Sequence, residues 1–229
     1  GATLGITGGQ NTTLTRDIKL TQSGGTISVT DATATLDGKL LLADGATSAD
    51  FTKTGAGNLN LTQDNTQSGG FTGNTIIKQG TLGIKGQNNL AQGQLFIDGG
   101  NLKTNAAISD FTKEIIINST GGIDTNGFNS KVSGVIQGDG GFVKSGLGEL
   151  ELTADNSYAG GTKVQAGTLI VEKDSQLGAS KTNITLDGGE LKLKDATTVD
   201  LSSNGRSIKV GSNGGALNIG AQNITIDNA

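Results

Sequence analysis

The side chains with the most chemical capacity in this chain are carboxylates and lysines set two apart in short alternating stretches. Glu149 and Glu151 stand in Gly148-Glu149-Leu150-Glu151-Leu152, and on an extended backbone their carboxylates project from one face. Glycoside hydrolysis uses a carboxylate pair of this kind. The positions 91 residues earlier hold Asn58 and Asn60, so the pair reads as the solvated polar side of a repeat. Lys192, Lys194 and Asp195 alternate in the same way, but eliminative cleavage of acidic polysaccharides needs an Asp cluster with calcium and a Lys or Arg base, and no such cluster stands out. Gly138-Asp139-Gly140-Gly141 resembles a fragment of a calcium-binding nonapeptide, without the tandem series that binding requires. Thr33 and Thr35 have the spacing of an ice-binding face, which is not repeated along the chain. Five Asn-x-Ser/Thr sequons, at Asn11, Asn60, Asn118, Asn183 and Asn223, arise freely in a chain rich in Asn and Thr.

What is missing narrows the chemistry further. The 229 residues contain no His, Cys, Met, Trp or Pro. Disulfides, thiolate nucleophiles and Cys-based metal sites are excluded, as are the usual base near neutral pH and the commonest metal ligand. No phosphate-binding loop, nucleophile elbow or dinucleotide fingerprint is present. No residue is therefore assigned a catalytic, cofactor-binding or metal-ligating role. Net charge is −4, and Arg16 and Arg206 are the only arginines among 17 basic residues, a poor basis for binding nucleic acid. No apolar run approaches the ~20 residues of a membrane helix. Without Met the chain has no start residue of its own and is expected to be a mature or excised fragment.

The elements that carry these residues are strands. Stretches such as Leu59-Asn60-Leu61-Thr62, Leu95-Phe96-Ile97-Asp98 and Leu191-Lys192-Leu193-Lys194 alternate apolar and polar residues with a period of two. A last such stretch is Ile224-Thr225-Ile226-Asp227. Helical spacing is nowhere convincing; Asn105 to Glu114 comes nearest. Gly numbers 39, about a sixth of the chain against a usual ~7%, and recurs in Gly-x-Leu/Ile triplets placing Leu59, Leu82, Leu102, Ile123 and Leu150 at steps of 23, 20, 21 and 27.

A longer period overlies this one. FTKTGAGNLNLTQDN, starting at Phe51, aligns with FVKSGLGELELTADN, starting at Phe142, with seven of the first twelve residues identical. Past the four residues Gln67 to Gly70, FTGNTIIKQGTLGI aligns with YAGGTKVQAGTLIV, and later IDGGNLK aligns with LDGGELK. The chain reads as a single solenoid fragment with a partial unit at 1–50 and units at 51–141 and 142–229.

Strong turn signals such as Asp98-Gly99-Gly100 recur about once per 20 residues, too seldom for a stack of hairpins. Stacked coils fit: each strand pairs with its equivalent above at about 4.8 Å per step. The expectation is all-β: a right-handed parallel β-helix of roughly ten coils. Leu59, Leu61, Leu82, Ile84, Leu102, Ile115, Ile117 and Ile123 form its inner ladders. Asp64-Asn65 and Asp155-Asn156 cap corners through their side chains. No amphipathic cap is visible at either end, so a longer rod is expected.

The pattern K-x-G-x-G-x-L-x-L-x-x-x-N-x-Y-x-G-x-T-x-V-x-x-G-T-L-x-V resembles the passenger-associated repeat of bacterial autotransporters. Lys144, Gly146, Gly148, Leu150, Leu152, Asn156, Tyr158, Gly160, Thr162, Val164, Gly167, Thr168, Leu169 and Val171 match it, with Leu177 and Gly178 beyond. The first copy departs by its insertion, by Phe71 in place of Tyr, and by Ala91 in place of the last Gly. The resemblance implies a secreted or surface-exposed passenger segment, an adhesin or virulence-factor stalk without catalysis. It would be outer membrane-anchored only through a C-terminal β-barrel absent from this sequence, or released. Host cell or matrix receptors, or neighbouring bacterial cells, are the implied partners, with the rod monomeric or weakly associated end to end or laterally. The alternatives are a released receptor-binding effector or toxin fragment, and a β-helix carbohydrate-active enzyme.

Overall fold

The computed structural model describes residues 1–67, 69–194, 198–200, 205–220 and 223–225. Ile226, Asp227 and Asp195, named above, lie outside them. Among the described residues every pairing between strands is parallel, so the chain is a parallel β-helix, as the spacing of its turn signals predicts. The longest sheet has ten strands, one per coil, and nine steps of about 4.8 Å give a rod of roughly 43 Å. Two single-turn 3₁₀ segments, Gln87–Asn89 and Asp174–Leu177, are the only helical elements among the described residues; Asn105 to Glu114 forms none.

Three faces enclose the core. A seven-stranded sheet forms the first, running from Ala2–Ile6 to Ile136–Gln137, and the ten-stranded sheet, from Thr12–Leu14 to Ile208–Val210, forms the second. The third begins with Ile18–Leu20 paired to Leu40–Leu42 and resumes as a five-stranded sheet from Ser130–Val132 to Ala216–Asn218. Short strands suffice because those of the middle coils mostly contribute two inward side chains, as in Asn58–Leu61 and Leu95–Asp98, and those stack coil on coil. Leu59, Leu82, Leu102 and Ile123 are in register on the second face; all eight expected inner aliphatics are buried. At ~1.5–3 kcal/mol per buried aliphatic, this column supplies most of the favourable energy.

The two aligned segments do not lie on the same faces. Phe51–Thr54 is in the first sheet and Asn58–Leu61 in the second, whereas Phe142–Ser145 is in the second and Glu149–Leu152 in the third. The ladder of Gly-x-Leu triplets explains the displacement. Ile123 stacks on Lys144, not on Leu150, and Leu150 starts its own ladder with Leu169, Leu191 and Leu217 on the next face. The irregular step of 27 is thus one coil plus one corner.

Where the third face lacks strands, side chains replace them. Asn65 Oδ1 accepts from the Leu40 amide at 2.8 Å, and its Nδ2 donates to the Asn89 carbonyl at 2.6 Å. The insertion beside it folds back: the Leu42 amide donates to the Gly69 carbonyl, and Leu41 and Gly70 form an antiparallel bridge.

Candidate functional site

The structure places the sequence's chemical candidates on outward faces, and Glu151 and Lys194 are taken up by a bond to each other. Glu149 and Glu151 do share a face, on the third sheet. Glu151 Oε1, however, accepts from Lys194 Nζ at 2.6 Å, and the Glu149 amide donates to Asn129 Oδ1 at 2.9 Å. Lys192 stacks on Ile170, which stacks on Glu151, so Lys192 lies two coils from Glu151. Asp139 lies at a corner between Ile136–Gln137 and Phe142–Ser145, where Gly138 has a φ of 115°. Thr35 stacks on Thr13, but the next rung is Asn60. Among the described residues no group of three or more Asp or Glu side chains could hold a metal ion, and no helix is long and apolar enough to cross a membrane.

The unexpected polar groups are inside. Lys53 and Lys144 are fully buried. Each follows an inward Phe by two residues, so strand alternation turns its side chain into the core. Lys53 Nζ donates to the carbonyls of Thr54, Gly55 and Gln79 at 2.7, 2.7 and 3.1 Å. Lys144 Nζ donates to Ser145, Gly146 and Ala166 carbonyls at 2.9, 2.7 and 3.0 Å and to Thr125 Oγ1 at 3.0 Å. Each ammonium thus closes the corner that follows it. That corner needs glycine: Gly55 and Gly146 have φ of 75° and 73°, and a Cβ on them would come within 2.3 Å of the Val29 carbonyl oxygen and 2.1 Å of Asp124 Oδ1. Burial lowers both lysine pKa values to about 8, with Asp124 opposing the shift at Lys144. Both stay charged at neutral pH, when all three hydrogens have acceptors.

Other buried polar groups recur at matching places in both copies. Asn156 repeats Asn65, accepting from the Ile136 amide at 2.8 Å and donating to the Gln176 carbonyl at 2.7 Å. Asn89 Oδ1 accepts from the Lys85 and Gly86 amides, and Gln176 Oε1 does the same for Glu172 and Lys173. Tyr158 packs on Phe142 with ring centroids 5.6 Å apart and bonds Thr162 Oγ1 at 2.6 Å; Phe71 packs on Phe51 at 6.1 Å. Burial pushes the Tyr158 phenol pKa well up. Arg206 is almost fully buried, with Nε 2.6 Å from Asp174 Oδ1 and its terminal nitrogens on the carbonyls of Leu177 and Gly178.

One outward feature is not required by the coil. Leu147 is 72% exposed and Phe128 38% exposed, and the Phe128 carbonyl lies within 2.5 Å of where a Gly148 Cβ would sit. Leu147 and Phe128 therefore sit at the same corner on neighbouring coils. Asn129, Lys131, Glu149 and Glu151 line a shallow depression beside it. The first copy has Ala56 in place of Leu147.

The passenger-associated-transport-repeat family matches the chain twice, at residues 51–84 and 142–171, the segments that carry the buried lysines and the Asn links. The chain is 36% identical over 156 residues, 65% of its length, to the protein named Adhesin BmaC autotransporter from Brucella suis biovar 1 (strain 1330). It spans about 4% of the length of that curated relative. No solved structure matches the chain. Two segments of this parallel β-helix thus match the passenger-associated transport repeat, and 65% of the chain is similar in sequence to an autotransporter adhesin.

Proposed function

We propose that this chain is a rigid length of a surface-exposed or released passenger, an adhesive stalk with no catalytic centre of its own. It is one continuous β-helix, with units at 51–141 and 142–229 and a partial unit at 1–50. The observation that carries the reading is the 36% identity to an autotransporter adhesin over 65% of the chain. The side-chain economy agrees with it: Glu151, Lys194, Lys53, Lys144 and Arg206 are all bonded within or between coils. The partner is a host cell, a matrix protein or a neighbouring bacterium, met through outward side chains. The test is binding of the purified, fluorescently labelled chain to epithelial cells and to immobilised matrix proteins, beside an unrelated β-helix of similar length. Saturable binding above that control is expected. Binding no greater than the control would reduce the segment to a spacer, and release of sugar from bacterial or host glycans would overturn the non-catalytic reading.

A further inference from the structure

We propose that each repeat carries a staple that joins coils two apart, and that the residue on the coil between them decides which pair of side chains can form it. In the first copy Asn60, Gly83 and Lys103 stack in register on the second face, and Asn105 follows one corner position on, its amide bonded to the Ile84 carbonyl. Asn105 Nδ2 donates to Asn60 Oδ1 at 2.9 Å, although 45 residues separate them. The bond passes over Gly83. A Cβ there would lie 2.2 Å from Asn60 Oδ1 and 2.5 Å from Asn105 Nδ2.

The second copy has the same arrangement in different chemistry, one face round. Glu151, Ile170 and Lys192 stack on the third face, and Lys194 follows with its amide on the Val171 carbonyl. Lys194 Nζ reaches Glu151 Oε1 at 2.6 Å, across 43 residues. Ile170 points outward yet is only 7% exposed, because this ion pair lies over it.

Reach explains the pairing. Strands two coils apart are about 9.6 Å from each other. Two short asparagines meet across that gap only if the middle residue has no side chain. Glu and Lys are long enough to meet above an isoleucine. In a solenoid each coil otherwise touches only its neighbours, so it can open one coil at a time. A bond that skips a coil makes three coils open together. For the rod proposed above, whose reading supplies the use of the staple but not its geometry, this resists peeling from a frayed end.

Native-state hydrogen exchange on the full chain tests the proposal, and its outcome is independent of whether the rod binds cells. Asn105→Ala is expected to speed exchange of the amides at 81–84, and Lys194→Ala those at 168–171, by about twofold or more, the coupling of residues in contact. Both truncate outward side chains and leave the core intact. Raising salt from about 0.05 to 1 M should weaken the ionic staple and leave the amide staple unmoved. Gly83→Ile alone should open the first staple, and Asn60→Glu with Gly83→Ile and Asn105→Lys should restore protection. Unchanged exchange in Asn105→Ala and Lys194→Ala would overturn the proposal. So would a triple variant no better protected than Gly83→Ile.

Discussion

Replacing Lys144 by Met keeps an unbranched side chain out to Cε and removes the ammonium from the core. Four acceptors lose a donor: Thr125 Oγ1 and the carbonyls of Ser145, Gly146 and Ala166. The Ser145 carbonyl keeps the Thr125 amide at 3.0 Å, and Thr125 Oγ1 lies within 3.3 Å of the Gly146 carbonyl as a poorer substitute. Ala166 is left with the greatest deficit. One to two buried carbonyls without a good partner cost about 1–3 kcal/mol each, and release from desolvating a buried cation offsets part of that. The expected net loss is about 2–4 kcal/mol, or roughly 5–12 °C in melting temperature for a chain of this size. Thermal and urea unfolding followed by far-ultraviolet circular dichroism would measure it, with Lys53→Met as the parallel case in the first copy. If Lys144→Met were as stable as the parent within about 0.5 kcal/mol, the corner carbonyls would not depend on the ammonium, and the buried lysine of the repeat would have no structural task at its corner.

Asn156→Ala leaves the Ile136 amide and the Gln176 carbonyl without their partners, and a loss of about 2–5 kcal/mol in urea unfolding is expected from two buried orphans. Stability should depend on pH in a sense opposite to simple alkaline denaturation. Between about 8 and the ordinary lysine value of 10.5 the unfolded chain binds more protons than the native one at Lys53 and Lys144, so stability rises with pH there. Above the ordinary tyrosine value of 10.0 the native state retains a proton on Tyr158 that the unfolded chain loses, so stability falls. Two lysines outweigh one tyrosine until the unfolded lysines themselves deprotonate, so a maximum near the ordinary lysine value of 10.5 is expected in melting temperatures taken across this range. Tyr158→Phe, which reproduces the residue at Phe71, should abolish the fall and keep the rise; an unchanged fall would show that Tyr158 is not its source.

Strand alternation makes most of the fold legible. Leu59, Leu82, Leu102 and Ile123 can be read as one ladder because each coil returns to the same face after 20 to 23 residues. The change of face between the copies cannot be read, because alignment matches residue types and contains no measure of phase around an axis. The step of 27 holds that information, but a longer loop would produce the same number. The buried lysines are legible in principle, although their charge points the other way. Phe51 with Lys53, and Phe142 with Lys144, are two apart, so an inward Phe requires an inward Lys. Charge suggests the surface; periodicity points to the core, and periodicity prevails. Asp64 and Asn65 both cap, in different directions: Asp64 Oδ1 takes the Thr66 amide at 2.8 Å in a local turn, while Asn65 reaches coils before and after its own. Sequence alone identifies the first kind of bond, since both partners are local, but not the second.

The two copies differ in a systematic way that bears on how such a rod can bind. Inward positions keep their chemistry: Phe51 and Phe142, Lys53 and Lys144, Asn65 and Asn156, Asn89 and Gln176. Outward positions change it: Ala56 to Leu147, Asn58 to Glu149, Asn60 to Glu151, Ile76 to Lys163. Stability resides in the first set, through apolar burial and satisfied buried polar groups, so the second set can vary at little cost to folding. Because the copies are also displaced by one face, a partner held by outward residues of one copy meets different side chains, on a different side of the rod, at the next. If the segment binds as proposed, recognition would be local to a few coils of one face, because repetition of the sequence does not repeat the outward surface.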